Sequence, residues 1–135
     1  MKTLKDASFS ETDVALPDGN ETVYSADMDL GLALGTGQER PELELIITVP
    51  TLTVTHLPDT ETLTVSVVAG ASATPTAVIA GSVAVYTGAG GAGAAGSTVR
   101  FRIPSDCARY LRVAFAGSTL AGDMTAVDAE VSLVF

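Results

Sequence analysis

Apolar and polar residues alternate with a period of two along much of this chain, the pattern of strands with one buried face. Tyr24, Ala26, Met28 and Leu30 alternate with Ser25, Asp27 and Asp29. Residues 42–49, 62–67, 98–103 and 126–133 repeat the pattern, and 109–115 sets Leu111, Val113 and Phe115 on one side. Residues 51–57 alternate too, fenced by Pro50 and Pro58. Two stretches, 77–80 and 82–86, are apolar at nearly every position, as expected of a strand covered on both faces.

The breaks between these runs are turn chemistry. Pro17-Asp18-Gly19-Asn20 joins a proline that fixes φ to a glycine that tolerates positive φ. Gly35-Thr36-Gly37, Pro58-Asp59-Thr60, Pro104-Ser105-Asp106 and Ala121-Gly122-Asp123 read the same way. No stretch carries an apolar stripe of helical period. Short strands at this spacing predict an all-β fold, a β-sandwich or jelly roll of about eight antiparallel strands with Greek-key connections. At 135 residues the chain fits one domain, with residues 1–21 expected as an extended N-terminal arm.

Charge narrows the partners. Seven Lys and Arg against sixteen Asp and Glu give a net charge of -9, which repels phosphate backbones and anionic membranes. No nucleic acid and no membrane is therefore expected as a partner. The residues after Met1 include no apolar signal segment, so synthesis in a cytoplasm is expected. Cys107 is the single cysteine; it excludes an intrachain disulfide and reads as a small buried hydrophobe.

Chemical motifs are sparse, and neither an enzyme nor a cofactor is expected. The run at 91–96, Gly-Ala-Gly-Ala-Ala-Gly, satisfies the dinucleotide-binding glycine pattern, but a strand follows it where that motif needs a helix. Residues 88–96, with Gly88, Gly90, Gly91 and Gly93, read instead as a flexible loop able to order against a partner. His56 is the only histidine, too few for a histidine-rich metal site, and no nucleophile motif accompanies it. Asp27 and Asp29 lie two apart and are read as a solvated strand face. With Glu42 or Glu44 they offer oxygen ligands of the kind calcium takes.

Two features point to binding between proteins. From Thr62 to Val99 there is no Asp, Glu, Lys or Arg, which suits either a core hairpin or a surface covered by a neighbour. Arg100, Arg102, Arg109 and Arg112 are the only basic residues after Arg40, in a chain where twelve of sixteen acids fall by Glu61. Arg100 and Arg102 share a strand face opposite Val99, Phe101 and Ile103. They form a candidate cationic stripe for an acidic neighbour.

The order of parts after about Val23 resembles the small jelly-roll cement (decoration) proteins on the heads of tailed phages, of the short-tailed Bordetella-phage type. An early acidic strand leads to a Thr/Val-rich middle and a Gly/Ala loop at 88–96. Val99-Arg100-Phe101-Arg102-Ile103-Pro104 follows, then Arg109-Tyr110-Leu111-Arg112-Val113, then a Gly-Asp-Met-Thr-Ala turn at 122–126. The resemblance implies a structural virion protein on the capsid exterior that bridges major capsid protein subunits. It implies no catalytic residues. A homo-oligomer, dimer or trimer, is expected, with the four arginines and the glycine loop as interface residues. The alternative is a non-enzymatic β-sandwich that binds glycan or calcium.

Overall fold

A computed structural model of the chain describes residues 9–31, 42–104 and 106–134. They form nine strands: β1 (Ser10–Ala15), β2 (Thr22–Tyr24), β3 (Met28–Asp29), β4 (Glu44–Val49), β5 (Thr62–Gly70), β6 (Val78–Thr87), β7 (Ser97–Arg102), β8 (Tyr110–Gly117) and β9 (Asp128–Val134). One sheet has the order β1-β9-β4-β7. The other runs β2-β8-β5-β6, with β3 also paired to β8. Every pairing between these strands is antiparallel. With β2 and β3 sharing one place beside β8, each sheet has four places, the build of a two-sheet antiparallel β-sandwich.

The alternation found in the sequence decides which side chains meet between the sheets. Leu45, Ile47, Val131 and Leu133 face inward from the four-stranded sheet; Leu63, Val65, Val67, Leu111, Val113 and Phe115 face inward from the five-stranded one. They form one buried cluster, joined by Leu16, Leu52, Leu57 and Met124 from the connections. Cys107 is buried at its margin, as expected. Gly19 takes a φ of +58° in the Pro17–Asn20 turn, where a glycine was needed. The Gly35-Thr36-Gly37 turn and Ser105 lie outside the described residues.

Three expectations fail for identifiable reasons. Residues 51–57 are not a strand. Leu52 makes a single bridge to Ala94, and the Thr53 carbonyl then accepts from both His56 N and Leu57 N, winding the chain into one tight turn. The N-terminal arm does not extend to residue 21. Ser10–Ala15 pairs with β9, and Val14 and Leu16 are buried, so this part belongs to the sandwich. Residues 77–80 and 82–86 are not a doubly covered strand. All but Ala77 lie in β6, an edge strand on which Val78, Ile79 and Val85 are 62%, 40% and 50% exposed. A run without charge fits a core and an uncovered surface equally well, and only strand order separates them.

Candidate functional site

The two outer faces of the sandwich differ in chemistry. Register places rows of outward residues across the five-stranded sheet. One row is Thr22–Ala116–Thr64–Val85, the next Tyr24–Ala114–Ser66, and the third Arg112–Val68–Val78. Arg112 is the single charged residue in these rows, and it is turned onto its own protein. Its Nε donates to the Pro75 carbonyl at 2.7 Å and its guanidinium lies 3.7 Å from the centre of the Tyr24 ring. Val68 and Ala114 are buried, and Pro75 packs against the Gly70 end of β5. What is open is a smaller face of Thr22, Tyr24, Thr64, Ser66, Ala116 and Val85, continued along the exposed apolar side chains of β6.

The four-stranded sheet turns charge outward. Its rows read Val134–Glu44–Arg102, Ser132–Ile46–Arg100 and Glu130–Thr48–Thr98, with Asp128 beyond. Arg100 and Arg102 do emerge together, opposite the partly buried Val99 and Phe101. They are not a free cationic stripe. Arg100 Nη1 pairs with Glu44 Oε2 at 3.0 Å, and Arg102 Nη2 pairs with Glu42. An open cleft of about 400 Å³ lies among these four side chains with Leu43 and Val134. The arginine side chains are 61% and 67% exposed, so water screens both pairs. Arg100→Ala with Arg102→Ala is expected to lower stability by no more than about 1 kcal/mol in urea unfolding.

Arg109 and Arg112 stand on β8 or beside it, in the other sheet, so the four arginines do not form one surface. Arg109 grips Asp29 with two parallel bonds, Nε to Oδ1 at 2.8 Å and Nη2 to Oδ2 at 2.9 Å. That hydrogen-bonded carboxylate raises the arginine's pKa further above its ordinary value. Asp29 is 7% exposed and also accepts from Gly31 N, so it is no solvated strand residue. The chain breaks between Tyr24 and Met28 because Ser25 is drawn inward. Its backbone N donates to the Val113 carbonyl and its Oγ accepts from Val113 N.

The carboxylates weighed for calcium are therefore not assembled. Asp27 accepts from Thr74 N through Oδ2 while its Oδ1 is buried without a hydrogen-bond partner. Asp29 is clasped by Arg109, and Glu42 and Glu44 pair with arginines beside the opposite sheet. Among the described residues, no three His, Cys, Asp or Glu side chains are placed to hold a metal ion.

The glycine loop is not loose. The Ala89 carbonyl accepts from Ala92 N, with φ of +63° at Gly90 and +67° at Gly91, the backbone a type I′ turn requires. Below this tip, Gly88 bridges Asp59, Ala94 bridges Leu52, and Gly91 N donates to Asp59 Oδ1 at 2.8 Å. The loop is thus bonded along its length to residues 52–61 and needs no partner to order it. His56 sits in the adjoining turn, where Thr53 N donates to its Nδ1 at 3.3 Å. Asp123 lies at the same end. Two hydrogen bonds from Thr125, through Oγ1 and N, hold its carboxyl below the usual aspartate range, with a lesser pull from His56.

The eight interface residues picked from sequence fall in three places: a self-paired charge ladder, two arginines that brace β8, and a pinned loop. The uncharged outer face was missed as a unit because Tyr24, Thr64, Val85 and Ala114 are far apart in the chain. The signal that did mark it was the absence of charge from 62 to 99. No protein-family model matches the chain, and no curated protein matches it in sequence.

Proposed function

We propose that this protein is a non-enzymatic structural module that binds other protein surfaces, on the outside of a phage capsid, where it stabilises the shell by bridging major capsid subunits. The observation that supports surface binding is the asymmetry of the sandwich. One outer face carries a ladder of charges; the rows of the other hold a single charge, Arg112, bonded to its own chain, and its edge strand exposes Val78, Ile79 and Val85. Charge-depleted, partly apolar faces of this kind suit the centre of a protein interface. The capsid as partner rests on the resemblance in the order of sequence segments. Mass spectrometry of purified virions of the phage that encodes the chain tests this. The chain should appear in fixed ratio to the major capsid protein, and its absence from virions overturns the capsid reading.

A further inference from the structure

We infer that the free edge of β7 takes an extended segment of a partner protein, with acids at alternate positions, as a further strand of the four-stranded sheet. The inference rests on the proposal that the protein binds other proteins, and names how a partner is held. It does not depend on a capsid.

The edges of the two sheets are not alike. β1 carries one extra residue against β9, between Glu11 and Val14. β6 carries extra residues where its register jumps from Val65–Ala84 to Val67–Ala80, with Ser82 at a φ of +57°. The other edge of the five-stranded sheet is split between β2 and β3, three and two residues long. Bulges and short strands break the ladder that an incoming strand would copy. β7 has no such break. It pairs with β4 in continuous register from Ser97 to Arg102.

Register fixes which groups this edge offers. Ile103 N donates to the Leu43 carbonyl, and on the far side of the sheet Leu133 N donates to that of Phe9. Bonded pairs alternate along an antiparallel ladder, so Val99 and Phe101 bond to β4. Thr98, Arg100 and Arg102 therefore turn their N–H and carbonyl groups away from it. Among the described residues no hydrogen bond takes up those outward groups. The side chains are open on the same side. Val99 and Phe101 face inward yet stay half-buried, whereas Ile47 and Leu45, opposite them on β4, are fully buried. A strand laid along β7 would cover both.

Charge selects the occupant. Main-chain bonds hold an added strand, and pockets for its alternate side chains select it. Its outward residues would stand beside Thr98, Arg100 and Arg102. These two arginines are exposed, unlike the half-buried Arg109 and Arg112. Arg100 gives Nη1 to Glu44 and Arg102 gives Nη2 to Glu42. A guanidinium carries five N–H donors, so each can take a second carboxylate on its open side. Acids there would continue the row Glu44–Arg102 by one strand, while lysines would set like charges side by side. β7 of a second copy brings arginines to this pairing, not acids.

The test is titration of the isotope-labelled chain with a synthetic peptide of about seven residues that alternates glutamate and valine, followed at the backbone amides by NMR. Saturable shifts centred on Thr98, Arg100 and Arg102, with slowed exchange of their amides, are expected at a Kd of about 0.1–1 mM. The same peptide built with lysine should bind at least about tenfold more weakly. N-methylation of its central glutamate, which removes a bond to the edge, should abolish binding. Arg100→Ala with Arg102→Ala keeps the backbone edge and should lose the preference for glutamate over lysine. Absence of shifts at about 5 mM peptide overturns the inference. So does equal binding of the glutamate and lysine peptides by the wild type. Shifts centred on another strand, or undiminished binding of the N-methylated peptide, overturn it too. Broadening of the same amides when the chain is concentrated alone would mark a second copy on the edge, and also overturns it. Only the purified chain and peptides are used, so failure here leaves the virion test standing, and absence from virions would leave the peptide result standing.

Discussion

Gly93→Ala is expected to remove about 3–5 kcal/mol of stability, whereas alanine at Gly90 or Gly91 should cost about 1 kcal/mol. All three glycines have positive φ, so backbone conformation alone does not separate them. What separates them is space. A Cβ on Gly93 would lie 1.9 Å from the Leu52 carbonyl oxygen and 2.5 Å from the Thr53 carbonyl carbon. That oxygen cannot retreat, since it accepts from Ala94 N at 2.8 Å in the bridge holding the loop down. At Gly90 and Gly91 a Cβ meets nothing within 4 Å, leaving only the left-handed backbone penalty. Urea unfolding of the three variants measures the difference. Equal, small losses would mean that residues 88–96 are free of the 52–61 segment after all.

Phe115→Ala should cost about 3–5 kcal/mol. Phe115 is fully buried on β8, between Val23 of β2 and Val65 of β5, and faces the four-stranded sheet. It is the bulkiest of the fully buried side chains, in a core otherwise built mainly from Leu, Val, Ile, Met and Ala. Branched aliphatic neighbours fixed on two sheets cannot slide into the space a phenyl ring leaves, so the cavity persists. In a chain of this size the loss corresponds to a fall in melting temperature on the order of 10–20 °C. Phe115→Leu, which keeps most of the volume, should lose less than half as much. If Phe115→Ala melts within a few degrees of wild type, the two sheets are not closed on this residue.

Much of this fold is legible in the sequence, because period two reports burial directly wherever a strand has one dry face. Alternation alone puts Leu63, Val65 and Val67, and likewise Leu111, Val113 and Phe115, on an inner face, and all six are buried. The pattern misleads where local hydrogen bonds override it. Thr53 and His56 wind an alternating segment into a turn, and Ser25 is pulled inward to serve Val113. It misleads again at β6, since composition records how apolar a strand is and says nothing of its neighbours. The candidate site was the least legible part. Glu42 and Glu44 neutralise Arg100 and Arg102 from more than fifty residues away, and Asp29 finds Arg109 from eighty. Ion pairs of that separation come from strand order, which the alternation leaves open.

The place of β9 has a consequence for how the chain folds. This last strand lies between β1 and β4, bonded to both, so nothing else joins the first strand to the rest of its sheet. Until residues 128–134 have left the ribosome, β1 has no partner strand and β4 has only β7. The five-stranded sheet needs nothing beyond Gly117 and can pair earlier. Folding should therefore proceed in two stages, with a slow closing step dominated by contacts far apart in sequence. Pulse-labelled hydrogen exchange would see amides of β5 and β8 protected before those of β1. Nascent chains halted before residue 128 would present the inner faces of β4 and β7 to chaperones.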